Sequence, residues 1–141
     1  MTDLERAKQL LTGTCTCALC LGDCTYLSTE RGVKPLVAWL ESGVDFHGFC
    51  AADKVVGKAT AFLYVLLGVK SVYAKVISRD GLLVLQKRGI TVERDAVVEY
   101  IINRKGDGRC PFEESVLCVD DEKAALQKIR QKMQELGIEI S

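Results

Sequence analysis

The most constraining feature of this sequence is an apolar stretch, residues 48–69, whose only charges are Asp53, Lys54 and Lys58. Its first part is short and apolar, and its second part is apolar for more than two helical turns. We predict a strand over Phe46–Ala52 that runs directly into a helix beginning at Asp53 or Lys54 and ending at Leu67. A helix that is apolar all round is buried on most sides. The chain is therefore expected to be organised around this strand and helix.

Size and composition indicate an ordinary globular protein. With 141 residues, 48% hydrophobic and 27% charged, we expect one domain spanning residues 1–141. Lys plus Arg equals Asp plus Glu, 19 each, so net charge gives no reason to expect nucleic acid or an anionic membrane as partner. The first residues lack the apolar segment of a signal peptide, and the longest apolar run, residues 59–67, is too short to span a bilayer. We expect a cytoplasmic protein whose seven cysteines are reduced.

The remaining elements follow from apolar spacing and from the positions of glycine and proline. Residues 95–103 are ambiguous, because the spacing of their apolar residues suits a helix and their residue types suit a strand; we expect a helix. From about residue 104 a C-terminal helical extension follows. Helices are predicted over residues 3–11, 34–41, 79–88, 111–117 and 121–136, and strands over residues 14–21, 24–28, 71–78 and 90–93.

The order of these elements predicts an α/β fold. A first hairpin is followed by strands that alternate with helices, which is typical of a sheet with parallel neighbours and helices on both faces. We expect three layers, α-β-α, around a mixed five-stranded sheet.

Two local segments add a resemblance. Asp53–Ala59 (DKVVGKA) and Asn103–Glu113 (NRKGDGRCPFE) resemble signatures of a small bacterial family of unknown function within the cytidine deaminase-like superfamily. The element order of residues 1–95 also resembles that fold. The resemblance implies a cytidine deaminase-like architecture, and it implies no established activity.

The zinc-binding motifs of true deaminases are missing. Those enzymes need a His or Cys with a Glu at one helix start and a Pro-Cys-x-x-Cys at the next. The matching places are residues 31–35 (RGVKP) and 52–56 (ADKVV), which hold no such set. The single histidine, His47, lies within the predicted central strand. We therefore expect no zinc-activated water and no deaminase activity.

The start of the central helix is the first candidate site. Ligands of open α/β sheets bind beyond the carboxyl ends of the strands, and free N–H groups at a helix start favour an anion. The preceding helix start is expected at the same sheet edge. We predict a pocket there for a small anionic molecule, such as a nucleotide, bound by the backbone N–H groups of residues 54–57. The alternative is that Asp53 only caps the helix and the lysines are solvated. The proposed ligand-binding residues are Arg31, Gly32, Asp53, Lys54, Gly57, Lys58, Asn103 and Arg104.

Two members of this set need comment. Gly57 and Lys58 do not form a Walker A loop, because Ala52 and Ala59 stand where that motif needs glycine and a hydroxyl residue. Gly57 instead indicates close packing or close backbone approach. Arg104, in the polar loop after Asn103, either closes over an anion or belongs to a plain turn.

The cysteines suggest no metal site. Cys15, Cys17 and Cys24 fall on one face of the predicted hairpin and Cys20 on the other, so the four thiols do not converge on one ion. The sequence identifies no cofactor. We interpret these cysteines as small buried hydrophobes.

A second hypothesis is thiol chemistry at Cys110. Pro111 would be the first residue of a helix, and a helix N-terminus lowers the pKa of a thiol. A thiol enzyme or redox protein would use Cys110 with Glu113 as acid or base and Cys50 as resolving thiol. The alternative is a helix cap without chemistry. The last helix, with its apolar stripe, packs on the domain or forms a homodimer contact.

Overall fold

A computed structural model describes residues 1–102, 106 and 108–140. They form a mixed five-stranded sheet flanked by helices. The helices are α1 (Asp3–Leu10), α2 (Lys34–Glu41), α3 (Lys58–Leu67), α4 (Arg79–Lys87), α5 (Pro111–Ser115) and α6 (Glu122–Glu135). The strands are β1 (Cys17–Leu21), β2 (Cys24–Ser28), β3 (Cys50–Val56), β4 (Ser71–Ser78) and β5 (Thr91–Val98).

The sheet has the order β2-β1-β3-β4-β5. Strand β1 is antiparallel to both β2 and β3, whereas β3, β4 and β5 are parallel. The predicted α/β fold with a mixed five-stranded sheet is therefore confirmed. On one face α1 packs against β1, β3 and β4, and on the other α2, α4, α5 and α6 surround α3. Among the helices of the described residues, none has the length and apolar character needed to cross a membrane.

The predicted boundary between the central strand and helix is wrong by several residues. Strand β3 begins at Cys50, because the chain first turns at Gly48 with a φ of 83°. Phe46 and Phe49 precede the strand, and their rings meet edge to face with centroids 5.3 Å apart. Asp53 and Lys54 belong to β3, and α3 begins only at Lys58. Asp53 and Lys54 are charged residues near the end of a buried strand, and they were misinterpreted as the start of a helix.

The helix expected over residues 95–103 is also wrong. Strand β5 continues to Val98, where it pairs with Ser78 of β4. Pairing with β4 supplies backbone partners that a helix would have to provide itself. Val97 is 42% exposed, so the helix-like spacing of the apolar residues in this segment does not correspond to a buried face of a helix.

Helix α3 ends at a glycine that both backbone conformation and space require. Gly68 has a φ of 81°, and its N–H donates to the carbonyl of Tyr64. A Cβ on Gly68 would lie 2.9 Å from Nδ1 of His47. Gly68→Ala is expected to lower the free energy of unfolding by about 2–3 kcal/mol, through left-handed strain and crowding together.

Urea unfolding of Gly68→Ala and of the matched control Gly89→Ala tests this expectation. Gly89 follows α4 with a φ of 76°, but a Cβ at this position would meet nothing within 4 Å, so only the conformational part applies. Equal losses in the two variants would show that the contact with His47 adds nothing.

Candidate functional site

The starts of α2 and α3 lie at the same edge of the sheet. Strand β3 ends there, and the amide of Lys54 donates to the carbonyl of Thr16 just before β1. The Thr16 hydroxyl in turn donates to the carbonyl of Glu30, two residues before Gly32. Helix α4 begins at this edge too, directly after β4. The structure therefore gathers three helix starts at the carboxyl ends of β3 and β4.

The start of α3 holds a carboxylate from the chain itself. Oε2 of Glu113 in α5 accepts a hydrogen bond of 3.1 Å from the amide of Ala59. The absence of a Cβ at Gly57 makes room for this carboxylate: a Cβ there would lie 2.5 Å from Cδ of Glu113. Burial raises the pKa of Glu113, and the N–H groups of Ala59 and Lys58 oppose that rise. The anion expected at this helix start is thus supplied internally.

The ligand-binding N–H groups expected at residues 54–57 are therefore a wrong assignment. Lys54 and Val55 lie within β3, where the amide of Val55 donates to Oδ1 of Asp53 at 3.2 Å. Gly57 is the N-cap of α3 and is not inside the helix. The close approach predicted from Gly57 does occur, and the approaching group is Glu113.

Asp53 lies beneath the edge, between β3 and α3. Its Oδ2 accepts a hydrogen bond of 2.6 Å from the hydroxyl of Tyr64. Burial raises the pKa of Asp53 to about 7, although the bonds from Tyr64, Val55 and Lys54 work against this rise. Cys17 lies opposite Asp53 in the β1–β3 register. Burial raises the pKa values of the Cys17 thiol and the Tyr64 hydroxyl well above their usual range. Asp53 is thus a buried hydrogen-bonded carboxyl and not a helix cap.

The two lysines predicted to act together are separated. Nζ of Lys54 donates to the carbonyl of Gly13 at 2.8 Å, beside the hairpin. Nζ of Lys58 donates to the carbonyl of Leu117 at 2.9 Å, beyond α5. Only Lys58 reaches the groove described next.

A groove of about 390 Å³ lies between α3, α4 and the segment that precedes α6. Phe62 lies at its base, with the Lys58 ammonium 5.9 Å and the Arg88 guanidinium 5.1 Å from the ring centre. Arg88 is fixed by Oε2 of Glu122 at 3.2 Å and by the carbonyl of Asp120 at 2.7 Å. The lining residues are Lys58, Phe62, Asp80, Leu83, Val84, Lys87, Arg88 and Asp120.

Most of these lining residues are absent from the set predicted from sequence, which contains only Lys58. Asp80 could have been identified from the sequence, because a helix was predicted to begin at residue 79. That helix begins at the same sheet edge as α3, and Asp80 lies in its first turn. Asp120 and Arg88 are brought together by tertiary packing of the C-terminal segment, which no local pattern indicates.

Arg31 and Gly32, also predicted to bind the ligand, do not line this groove. Gly32, with a φ of 77°, forms the turn before α2, and Arg31 beside it is exposed. Asn103 and Arg104 lie outside the described residues.

The proposed pairing of Cys110 with Cys50 is wrong. Cys50 is the first residue of β3, whereas Cys110 precedes α5, whose Glu113 contacts α3 beyond the last residue of β3. A seven-residue strand is about 20 Å long, so the two thiols lie toward opposite ends of β3. Cys110 is the N-cap residue of α5 by position, and within the described residues its thiol makes no capping bond. The Glu113 carboxylate is directed at α3.

No group of three or more His, Cys, Asp or Glu side chains among the described residues is arranged to hold a metal ion.

Comparison with known proteins gives a family and a structural neighbour. No curated protein matches the chain. Among solved structures, the crystal structure of a DUF1893 family protein (TM1506) from Thermotoga maritima is similar, with a TM-score of 0.82 and 26% sequence identity. The match covers 96% of this chain and 91% of that chain. The family model described as "TM1506: Domain of unknown function (DUF1893)" matches residues 5–133. The chain therefore belongs to the DUF1893 family, whose function is unknown.

Proposed function

We propose that this protein binds a small anionic ligand, with a nucleotide as the leading case, in the groove between α3 and α4. The observation that carries the proposal is the gathering of Lys58, Lys87 and Arg88 around a groove of about 390 Å³ that runs along α4 from its first turn to its last. Small-molecule sites have volumes of this order.

The groove offers three kinds of contact. Lys58 and Lys87 provide ammonium groups, and among the described residues Lys87 has no ion-pair partner. Leu83, which is 51% exposed, offers an apolar surface beside them. Carboxylates of Asp80 and Asp120 can accept hydrogen bonds from ligand N–H or O–H groups. A nucleoside monophosphate carries all three complements: an anionic group, an aromatic base whose flat faces pack on apolar side chains, and hydrogen-bond donors.

Calorimetric titration with inorganic phosphate and with nucleoside monophosphates tests this function. Replacing Lys58 and Lys87 together by alanine is expected to weaken binding of the best probe at least about tenfold, because two charge-assisted contacts are lost. Lys54→Ala is the matched control. Lys54 is a nearby lysine, but its ammonium donates to the carbonyl of Gly13 and does not reach the groove.

The dissociation constant is the readout, because loss of the Lys58–Leu117 bond also changes stability. Equal affinity of wild type and the double variant, or a wild type that binds none of these probes, would contradict the proposal.

Several broader assignments accompany this proposal. A hairpin followed by three helix-separated strands supports a cytidine deaminase-like fold, without zinc chemistry. We expect the protein in the cytoplasm, with no nucleic acid or membrane as partner.

A homodimer through α6 has little to support it, because Ala125, Ile129 and Met133 are already buried within the chain. Thiol chemistry at Cys110 is the alternative function, and it lacks Cys50 as a resolving thiol.

A further inference from the structure

We propose that Cys20 and Cys50 are a site of reversible oxidation, at which a disulfide forms between neighbouring strands beneath α1. The two residues are direct partners in the antiparallel β1–β3 register. Both are buried, Cys20 at 0% and Cys50 at 2% exposure. Within the registers of the described residues they are the one pair of cysteines that lie directly opposite each other.

The register fixes the spacing of the pair. The amide of Lys54 donates to the carbonyl of Thr16, its partner across β1–β3. Hydrogen-bonded pairs alternate along an antiparallel ladder, so Ala18–Ala52 and Cys20–Cys50 are hydrogen-bonded pairs as well. Such pairs have Cα atoms about 5.5 Å apart, within the range that disulfides span, but their Cβ atoms lie at the wide end of about 4.5–5.5 Å, beyond the roughly 3.5–4.5 Å of an unstrained disulfide. The bond must therefore draw the two strands together locally, and the resulting strain makes it easy to reduce. Directly opposed side chains lie on one face of the sheet, so both thiols are on the same side.

The face that carries the pair is covered by α1. Cys20 packs with Ala7 of α1 and with Ala18 and Ala52 of the strands. In the described part of the chain α1 is the one helix that packs on this face. A helix of eight residues has only marginal stability of its own and depends on its packing against the sheet. Local unfolding of α1, without unfolding of the rest of the domain, would therefore expose the two thiols to a reagent.

The oxidant is a small disulfide such as oxidised glutathione. The thiolate of one cysteine attacks a sulfur of the reagent, forms a mixed disulfide and releases one glutathione thiolate. The second cysteine thiolate attacks the protein sulfur of that mixed disulfide and releases the second glutathione. Two protons leave the two cysteines, and the two electrons they give up reduce the reagent to two thiols.

The test is oxidation of the folded full-length protein by oxidised glutathione, followed by alkylation in denaturant and mass measurement. Exposed cysteines that bind glutathione are recognised by its added mass. Wild type is expected to show two further cysteines that are neither alkylated nor bound to glutathione, and dithiothreitol is expected to restore them. Cys20→Ala and Cys50→Ala should each abolish the effect. Cys24→Ala, at an exposed position of the same hairpin, should leave it intact. The variants are needed because trypsin releases Cys20 on one peptide with Cys15, Cys17 and Cys24.

A second measurement tests the role of α1. The Thr2 hydroxyl caps this helix by accepting from the amide of Glu5 at 3.1 Å. Thr2→Ala is expected to accelerate formation of the same disulfide roughly fivefold, the usual effect of losing one helix cap on a helix–coil equilibrium. A disulfide that persists in either Cys20→Ala or Cys50→Ala, or a wild type that keeps all its thiols, would overturn the proposal. An unchanged rate in Thr2→Ala would overturn the access route through α1.

Discussion

Glu113→Ala is expected to lower the free energy of unfolding by about 3 kcal/mol. The carboxylate accepts from the amide of Ala59 in the first turn of α3, at a position where both residues are buried. Without it, that amide is left without an acceptor and the positive end of the α3 dipole is left uncompensated. Glu113→Gln keeps an acceptor oxygen and removes the charge, so its loss should be intermediate.

Gly57→Ala probes the same contact from the other side. The backbone at Gly57 is extended, with φ of −98° and ψ of −175°, which any residue adopts. The expected loss of about 3 kcal/mol is therefore steric, since the new Cβ collides with the Glu113 carboxylate and displaces it. In a Glu113→Ala background the collision partner is absent, and Gly57→Ala should cost much less than in wild type.

Urea unfolding of the four proteins in this double-mutant cycle is the measurement. Glu114→Ala, the exposed neighbour in α5, is the control and should change stability by less than about 0.5 kcal/mol. Additive losses from Gly57→Ala and Glu113→Ala would contradict the direct contact.

The second large effect is a pH-dependent stabilisation by Asp53→Asn. Burial raises the pKa of Asp53 from 3.8 to about 7. Well below pH 4 the carboxyl is protonated in both the folded and the unfolded chain. Between pH 4 and pH 7 the unfolded chain releases this proton while the folded chain keeps it, so the contribution of Asp53 to stability falls as pH rises. The loss reaches about 4 kcal/mol above pH 7.

Asparagine removes this titration and keeps partners for Tyr64 and Val55. The stability difference between Asp53→Asn and wild type should therefore grow in favour of the variant from pH 4 to pH 8, as measured by urea unfolding at each pH. Asp95→Asn is the matched control: its carboxylate also accepts from a tyrosine hydroxyl, that of Tyr73 at 2.6 Å, but the residue is exposed. A difference that stays constant with pH would show that Asp53 is not a buried titrating group.

Local patterns were sufficient for much of the fold. The bounds of α2 and β4 were predicted to the residue, because Pro35 marks the first turn of one and β-branched residues fill the other. The hairpin was found from Gly22-Asp23. The failures came where tertiary contacts decide the outcome: the Tyr64 hydroxyl allows Asp53 inside a strand, and β4 holds residues 95–98 extended.

The candidate site was harder to predict for the same reason. The sheet edge and Lys58 were expected, since strand ends and helix starts can be located from the sequence. The position of Glu113 at the start of α3 depends on a contact across 54 residues. Arg88 reaches Asp120 across 32 residues. Such contacts are set by how α5 and α6 pack, and no periodicity encodes them.

The internal carboxylate at α3 also has a consequence for biosynthesis. A ribosome makes a chain from its N-terminus, so the residues of α3 emerge well before residue 113. Until then the first turn of the central helix lacks its acceptor, and the core around it is incomplete. Completion of the native state must therefore await the emergence of α5, and α3 lacks this partner throughout the synthesis of the residues between them.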